Sequence, residues 1–142
     1  MNVLTSGWVR LTEVLQRIGD WLPGLFLRIL LGYEFFEAGL SKYRGKNWFG
    51  SIQENFPFPF NVVPPELSWF LATWTELVGG AMLVLGLFTR FWTISLIILT
   101  IVATAAVHWP ESYSSFGELM KGYAITNKGF GNFKLPVIYL VM

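Results

Sequence analysis

Between Leu4 and Leu22 apolar residues recur at spacings of four and three, through Trp8, Leu11, Leu15 and Ile18. That period is one face of an α-helix. Arg10, Glu13, Arg17 and Asp20 fall together on the opposite face, so residues 1–22 read as an amphipathic helix lying in a membrane interface. From Pro23 the alternation gives way to continuous apolarity. Three stretches, about 23–40, 67–88 and 91–107, are long and apolar enough to read as membrane spans. The second and third are joined only by the turn at Thr89–Arg90, which predicts an antiparallel hairpin. A last apolar run, 135–142, has eight residues. Eight helical residues rise about 12 Å, less than half of the roughly 30 Å hydrocarbon core, so this run reads as a truncated fourth span. The predicted fold is all-α: an integral membrane four-helix bundle preceded by an amphipathic interfacial helix.

Two connections are long. Residues 47–66 carry Trp48, Phe49, Phe56, Phe58 and Phe60 among Pro57, Pro59, Pro64 and Pro65. Proline at that density forbids a regular helix, and the aromatics predict an interfacial loop folded against the span ends. Residues 108–134 are polar and glycine-containing, a loop with one helical turn expected around Phe116 to Tyr123. Lys42, Arg44, Lys46, Lys121, Lys128 and Lys134 fall on the side of these loops, against Arg10, Arg17 and Arg90 on the other. The positive-inside rule then favours cytoplasmic long loops, although the N-terminal amine and the amphipathic helix oppose it.

Composition narrows the class. Hydrophobic residues make up 54% of the 142 and charged residues only 13%, about half the share in soluble domains. A net charge of +1 supplies no basic patch for nucleic acid. With no cysteine, disulfides, thiolate metal sites and thiol relays are excluded within this chain. The lone histidine, His108, excludes a bis-histidine haem site made by one chain. The start of the chain lacks the pattern of a cleavable signal peptide.

Charges inside the apolar stretches mark the candidate site, because a charge at mid-bilayer costs about 2.5–3.5 kcal/mol on insertion scales and such groups face protein or a water-filled cavity. Arg28, Glu34 and Glu37 lie in the first span and Glu76 in the second. On a helical wheel Arg28 shares a face with Gly32, Phe35, Gly39 and Lys42, and Glu76 shares one with Ala72, Gly79 and Gly80. The small residues Gly32, Gly39, Gly79 and Gly80 let helices approach closely. An Arg28–Glu76 ion pair between the two spans is the economical expectation. It would either lock the bundle or bind an anion or polar headgroup. Glu37 is expected near the membrane surface beside Lys42 or Arg44, while the deeper Glu34 has no evident partner and is a candidate proton relay. Lys42 and His108 are placed at the interface as contributors. Thr93, Thr100 and Thr104 form a stripe expected to serve helix packing. The Glu-x-x-His spacing of di-iron bundles is missing, so no metal site is expected.

Three stretches carry a resemblance to a known family. The segment LRILLGYEFFEAGLSKY, Leu27 to Tyr43, resembles the first span of the DoxX family, with Arg28, Gly32, Gly39 and Lys42 at characteristic positions. ELVGGAMLVLGLFTRF, Glu76 to Phe91, resembles its second span and Gly-Leu-x-Thr-Arg turn, and His108 follows an apolar third span. The segments HWPESYSSF and GYAITNKGFGNFKLP further resemble a subfamily associated with maturation of copper-binding ribosomally made peptides. The resemblance implies a multi-pass protein of the bacterial inner membrane. Some members of the family are membrane subunits of thiosulfate:quinone oxidoreductases or of oxidative-stress complexes with soluble redox enzymes.

Three functions remain open at this point. The leading one is a membrane subunit of an oxidoreductase or peptide-maturation system, more a non-catalytic subunit than an enzyme alone. It would anchor a soluble redox or maturation enzyme and take a quinone-like cofactor among Arg28, Glu76 and aromatic residues. The second is a small proton- or solute-coupled transporter with Glu34, Glu37 and Glu76 along a polar path. The third is a membrane scaffold whose charges fix helix packing. Lipid is the expected surrounding in each, nucleic acid in none, and a homo-oligomer fits any of them.

Overall fold

The computed structural model describes residues 3–142, with side chains from Ser6 onward; Met1, Asn2 and the side chain of Leu4 lie outside the described residues. The described residues form helices and loops without a strand. α1 spans Val3–Arg44, α2 Pro65–Leu85, α3 Thr89–Ala103, α4 Phe116–Met120 and α5 Lys134–Val141. A 3₁₀ helix covers Phe49–Asn55, and α3 ends in a π-helical turn, Thr104–His108.

The amphipathic segment and the first span are one helix. α1 runs through Pro23 without interruption for 42 residues. The proline lacks the N–H that would bond to the Gly19 carbonyl, so one hydrogen bond of the helix is missing there. At 1.5 Å per residue α1 is about 63 Å long, twice the hydrocarbon thickness. Its first half passes beyond the end of α2, with Trp8, Leu11, Leu15, Ile18 and Leu22 exposed along one stripe and Arg10, Glu13, Arg17 and Asp20 exposed on the other face.

α1 and α2 are antiparallel, and glycines set their register. A Cβ on Gly80 would lie 2.7 Å from the Gly32 carbonyl oxygen, and one on Gly39 would lie 2.7 Å from the Leu77 backbone nitrogen. Contacts this close require glycine, as the small-residue stripes predict. Pro65 opens α2 at a position where its missing N–H costs nothing. Gly86, at φ 75°, closes it: the Leu87 N–H donates to the Met82 carbonyl at 3.0 Å, a Schellman-type stop. The second helix therefore ends at Leu85, three residues before the expected Phe88, and α3 begins at Thr89 rather than Phe91.

α2 and the continuous Thr89–His108 segment are each long and apolar enough to cross a membrane. Their outward residues, such as Phe70, Trp74, Leu85, Ile94, Ile98 and Ile101, are exposed. An apolar exterior around a small core is the pattern of a bundle solvated by lipid. α5 completes the four-helix arrangement: Tyr139 packs on Phe35 of α1 at 5.8 Å between ring centroids, and α5 also contacts α3. The predicted interfacial loop is ordered over the α2–α3 end. Phe49 and Phe56 are buried with Ala72 and Ala106, and Phe60 and Trp69 pack against them.

Candidate functional site

The charged groups predicted to meet in the membrane do not do so in the expected combination. Glu76, only 7% exposed, projects from the middle of α2, and its partner is Lys42, whose Nζ donates to Oε1 at 2.9 Å and to Oε2 at 2.7 Å. The Arg28–Glu76 pair is thereby replaced. In the register set by Gly32–Gly80 and Gly39–Leu77, Gly39 faces Glu76, and Lys42, one turn further along α1, is the cation within reach of its carboxylate. Arg28, fourteen residues earlier, sits about 21 Å away along the helix. Its Nη1 lies beside Gly86, 3.2 Å from where a Cβ would stand, at the C-terminal end of α2. The carbonyls there carry partial negative charge and favour a cation.

The other two carboxylates separate from Glu76 as well. Glu34, half-buried, accepts a hydrogen bond from the Tyr139 hydroxyl of α5 at 3.1 Å, a partner the first span alone could not reveal. Glu37 is exposed on the outer face of α1 and makes no ion pair among the described residues; Lys42, its expected neighbour, is engaged by Glu76. The three carboxylates therefore do not line one path.

Glu76 and Lys42 instead border a cavity of about 460 Å³ between α2, α3 and the 3₁₀ loop. That volume lies within the range of small-molecule sites. Its walls are mainly apolar: Phe49, Phe56 and Phe60 from the loop, Ala72 from α2, Leu99 and Val102 from α3. Its polar members are few. Lys42 and Glu76 stand on one side, Ser68 and Thr75 lie along α2, and His108 comes from the π-helical turn. Ser68 is 7% exposed and its Oγ has no hydrogen-bond partner, an unusual state for a buried hydroxyl. Thr73 Oγ1, also buried on α2, is likewise unpartnered.

His108 belongs to this cavity rather than to the interface alone. Its Nδ1 lies 2.8 Å from Asn132 Oδ1, and its carbonyl accepts from the Asn132 N–H at 2.9 Å. Residues 122–133 thus fold back over the end of α3. The glycines behave as predicted for packing: Gly32 and Gly39 meet α2, Gly80 meets α1, and a Cβ on Gly79 would lie 3.1 Å from the Trp92 ring of α3. Thr100 and Thr104 donate to the carbonyls of Leu96 and Thr100, the backbone bonding expected of the threonine stripe.

Sequence reasoning missed Ser68, Asn132 and the π-helical turn. Lys42 was legible in part, because it shares the Arg28 face of the wheel; only the helix register chooses between the two cations. Nothing local in the sequence marks Asn132, whose partner is 24 residues away. Among the described residues no cluster of His, Asp and Glu is placed to hold a metal ion.

Residues 24–109 match the DoxX family. An uncharacterised protein of Haemophilus influenzae is 41% identical over 127 residues, which cover 89% of this chain and 76% of that protein. No solved structure matches the chain. The family match begins at the α1 span, takes in α2 and α3, and ends one residue after His108, so it contains every helix that walls the cavity: the chain belongs to the DoxX family of membrane proteins.

Proposed function

We propose that this protein is the quinone-binding membrane subunit of an oxidoreductase or peptide-maturation system in the bacterial inner membrane. The observation that carries this reading is the cavity itself. One apolar, aromatic-walled space of quinone-ring size is bordered by an ion pair, an imidazole and a buried hydroxyl without a partner. A quinone offers a flat ring for the phenylalanines and two carbonyl oxygens for the polar groups, and Ser68 supplies a donor that the fold leaves unused. The ring would supply electron-carrying chemistry to a chain that has no cysteine. Lys42 and Glu76 would orient it, while the aromatic loop would keep water from it.

Arg44, Lys46, Lys121 and Lys128 lie on the loop side of the bundle, which favours a cytoplasmic position for that side under the positive-inside rule. A soluble redox or maturation enzyme would dock there, beside the cavity.

A short-tailed benzoquinone titrated into the full chain in nanodiscs tests the reading, because quinones quench the fluorescence of tryptophans such as Trp48 and Trp69 beside the cavity. Quenching should saturate, and Val102→Phe, which narrows the cavity from its α3 wall without adding a tryptophan, should weaken it about tenfold. Gly24→Ala, where no atom lies within 4 Å of the new Cβ, should bind like wild type. Quenching that rises linearly and equally in all three proteins would mean simple partitioning into lipid and would end the proposal.

A further inference from the structure

Asn132 has two hydrogen bonds that together determine which nitrogen of His108 carries a proton. Its Nδ2 donates to the Ile125 carbonyl at 3.3 Å, and its Oδ1 faces His108 Nδ1 at 2.8 Å. Turning the amide over would set its oxygen against the Ile125 carbonyl oxygen, so the orientation follows from the loop. An amide oxygen only accepts, so in neutral His108 the donor is Nδ1–H and Nε2 holds a bare lone pair.

The clamp is built into the backbone as well. The Asn132 N–H donates to the His108 carbonyl at 2.9 Å. Gly131, at φ 84°, passes so close to His108 that a Cβ there would overlap the His108 carbonyl oxygen and the Pro110 nitrogen. The π-helical turn then ends at the clamped residue. Since His108 lines the cavity and its Nδ1 is engaged, Nε2 is the nitrogen left for a ligand.

We infer that Asn132 is a positioning residue that makes His108 a hydrogen-bond acceptor toward the cavity, so that the site favours the hydroxyl-bearing, reduced form of its ring ligand, a hydroquinone, over the quinone. The inference rests on the quinone-site reading above and sharpens it. A quinone has only acceptor oxygens, and one placed against Nε2 sets lone pair against lone pair. A hydroquinone hydroxyl donates to Nε2. Glu76, which also lines the cavity and takes one hydrogen bond from Lys42 on each oxygen, retains lone pairs for a second hydroxyl. One hydrogen bond made or lost corresponds to a difference of up to about tenfold in affinity.

The chain contains a single histidine, so ¹⁵N-histidine labelling of the full protein in nanodiscs reports His108 alone. The spectrum should show Nδ1 protonated and Nε2 bare. Asn132→Ala should mix the two tautomers. In parallel, a short-tailed benzoquinone and the hydroquinone made from it by dithionite are titrated separately. Wild type should bind the hydroquinone about tenfold more tightly, and Asn132→Ala should lose most of that preference. Nε2-protonated His108 in wild type overturns the inference whatever the variant does. Equal affinity for the two ring forms overturns the preference while leaving the quinone-site reading intact, whereas binding of neither form overturns both.

Discussion

The Lys42–Glu76 pair predicts a coupling that the alternative cation should lack. Lys42 Nζ sits 2.9 and 2.7 Å from the two carboxylate oxygens. At an effective dielectric constant near 20 the gross attraction at that range is about 6 kcal/mol, much of it offset by desolvation of both ions. Removing only Lys42 leaves a carboxylate buried at 7% exposure without its counter-ion, a loss of about 3–5 kcal/mol. A cycle of Lys42→Met with Glu76→Gln should therefore show an interaction energy of about 2–3 kcal/mol. Arg28 lies about 21 Å along α1 from Lys42, a distance at which the same dielectric constant gives less than about 1 kcal/mol before screening. The Arg28→Met with Glu76→Gln cycle should be additive within about 0.5 kcal/mol. Reversible unfolding in mixed micelles, followed by the fluorescence of the seven tryptophans, measures both cycles. A coupled Arg28 with an uncoupled Lys42 would refute the register on which the site is built.

Two further outcomes follow from the packing. Gly80→Ala places a methyl 2.7 Å from the Gly32 carbonyl and 2.8 Å from the Phe36 nitrogen; it should cost about 1–3 kcal/mol in the same unfolding assay, and wild-type stability would contradict the close α1–α2 contact. Tyr139→Phe removes the donor to Glu34 and should cost about 1–3 kcal/mol, with Glu34→Gln reducing the penalty of the second change in a double variant; strict additivity of the two would show that the pair does not form.

The legible part of the site was its residue types. Wheel positions grouped Lys42 with Arg28 and marked Gly32, Gly39, Gly79 and Gly80 as close-approach points, and the structure uses each glycine in that way. The error at Glu76 arose because two cations share one helix face, and a wheel carries no information about displacement along the axis. The cavity was not legible either. It exists because the proline-broken loop brings Phe49 and Phe56 over α2 and α3, and no period records where an irregular segment folds.

What the sequence determined by itself was what lies within one element. Long apolar stretches must satisfy their backbone internally in lipid, so helices were inevitable, and proline and glycine located most of their ends. Pro23 was the exception, since one helix continues through it. Only the tertiary structure decided which charges meet. The glycine contacts between α1 and α2 bring Lys42 within reach of Glu76, α5 brings Tyr139 to Glu34, and the returning loop sets Asn132 against His108. Each of those depends on a distance between elements, and hydrogen bonds and ion pairs fall away within a few ångströms while sequence periodicity is silent about all of them.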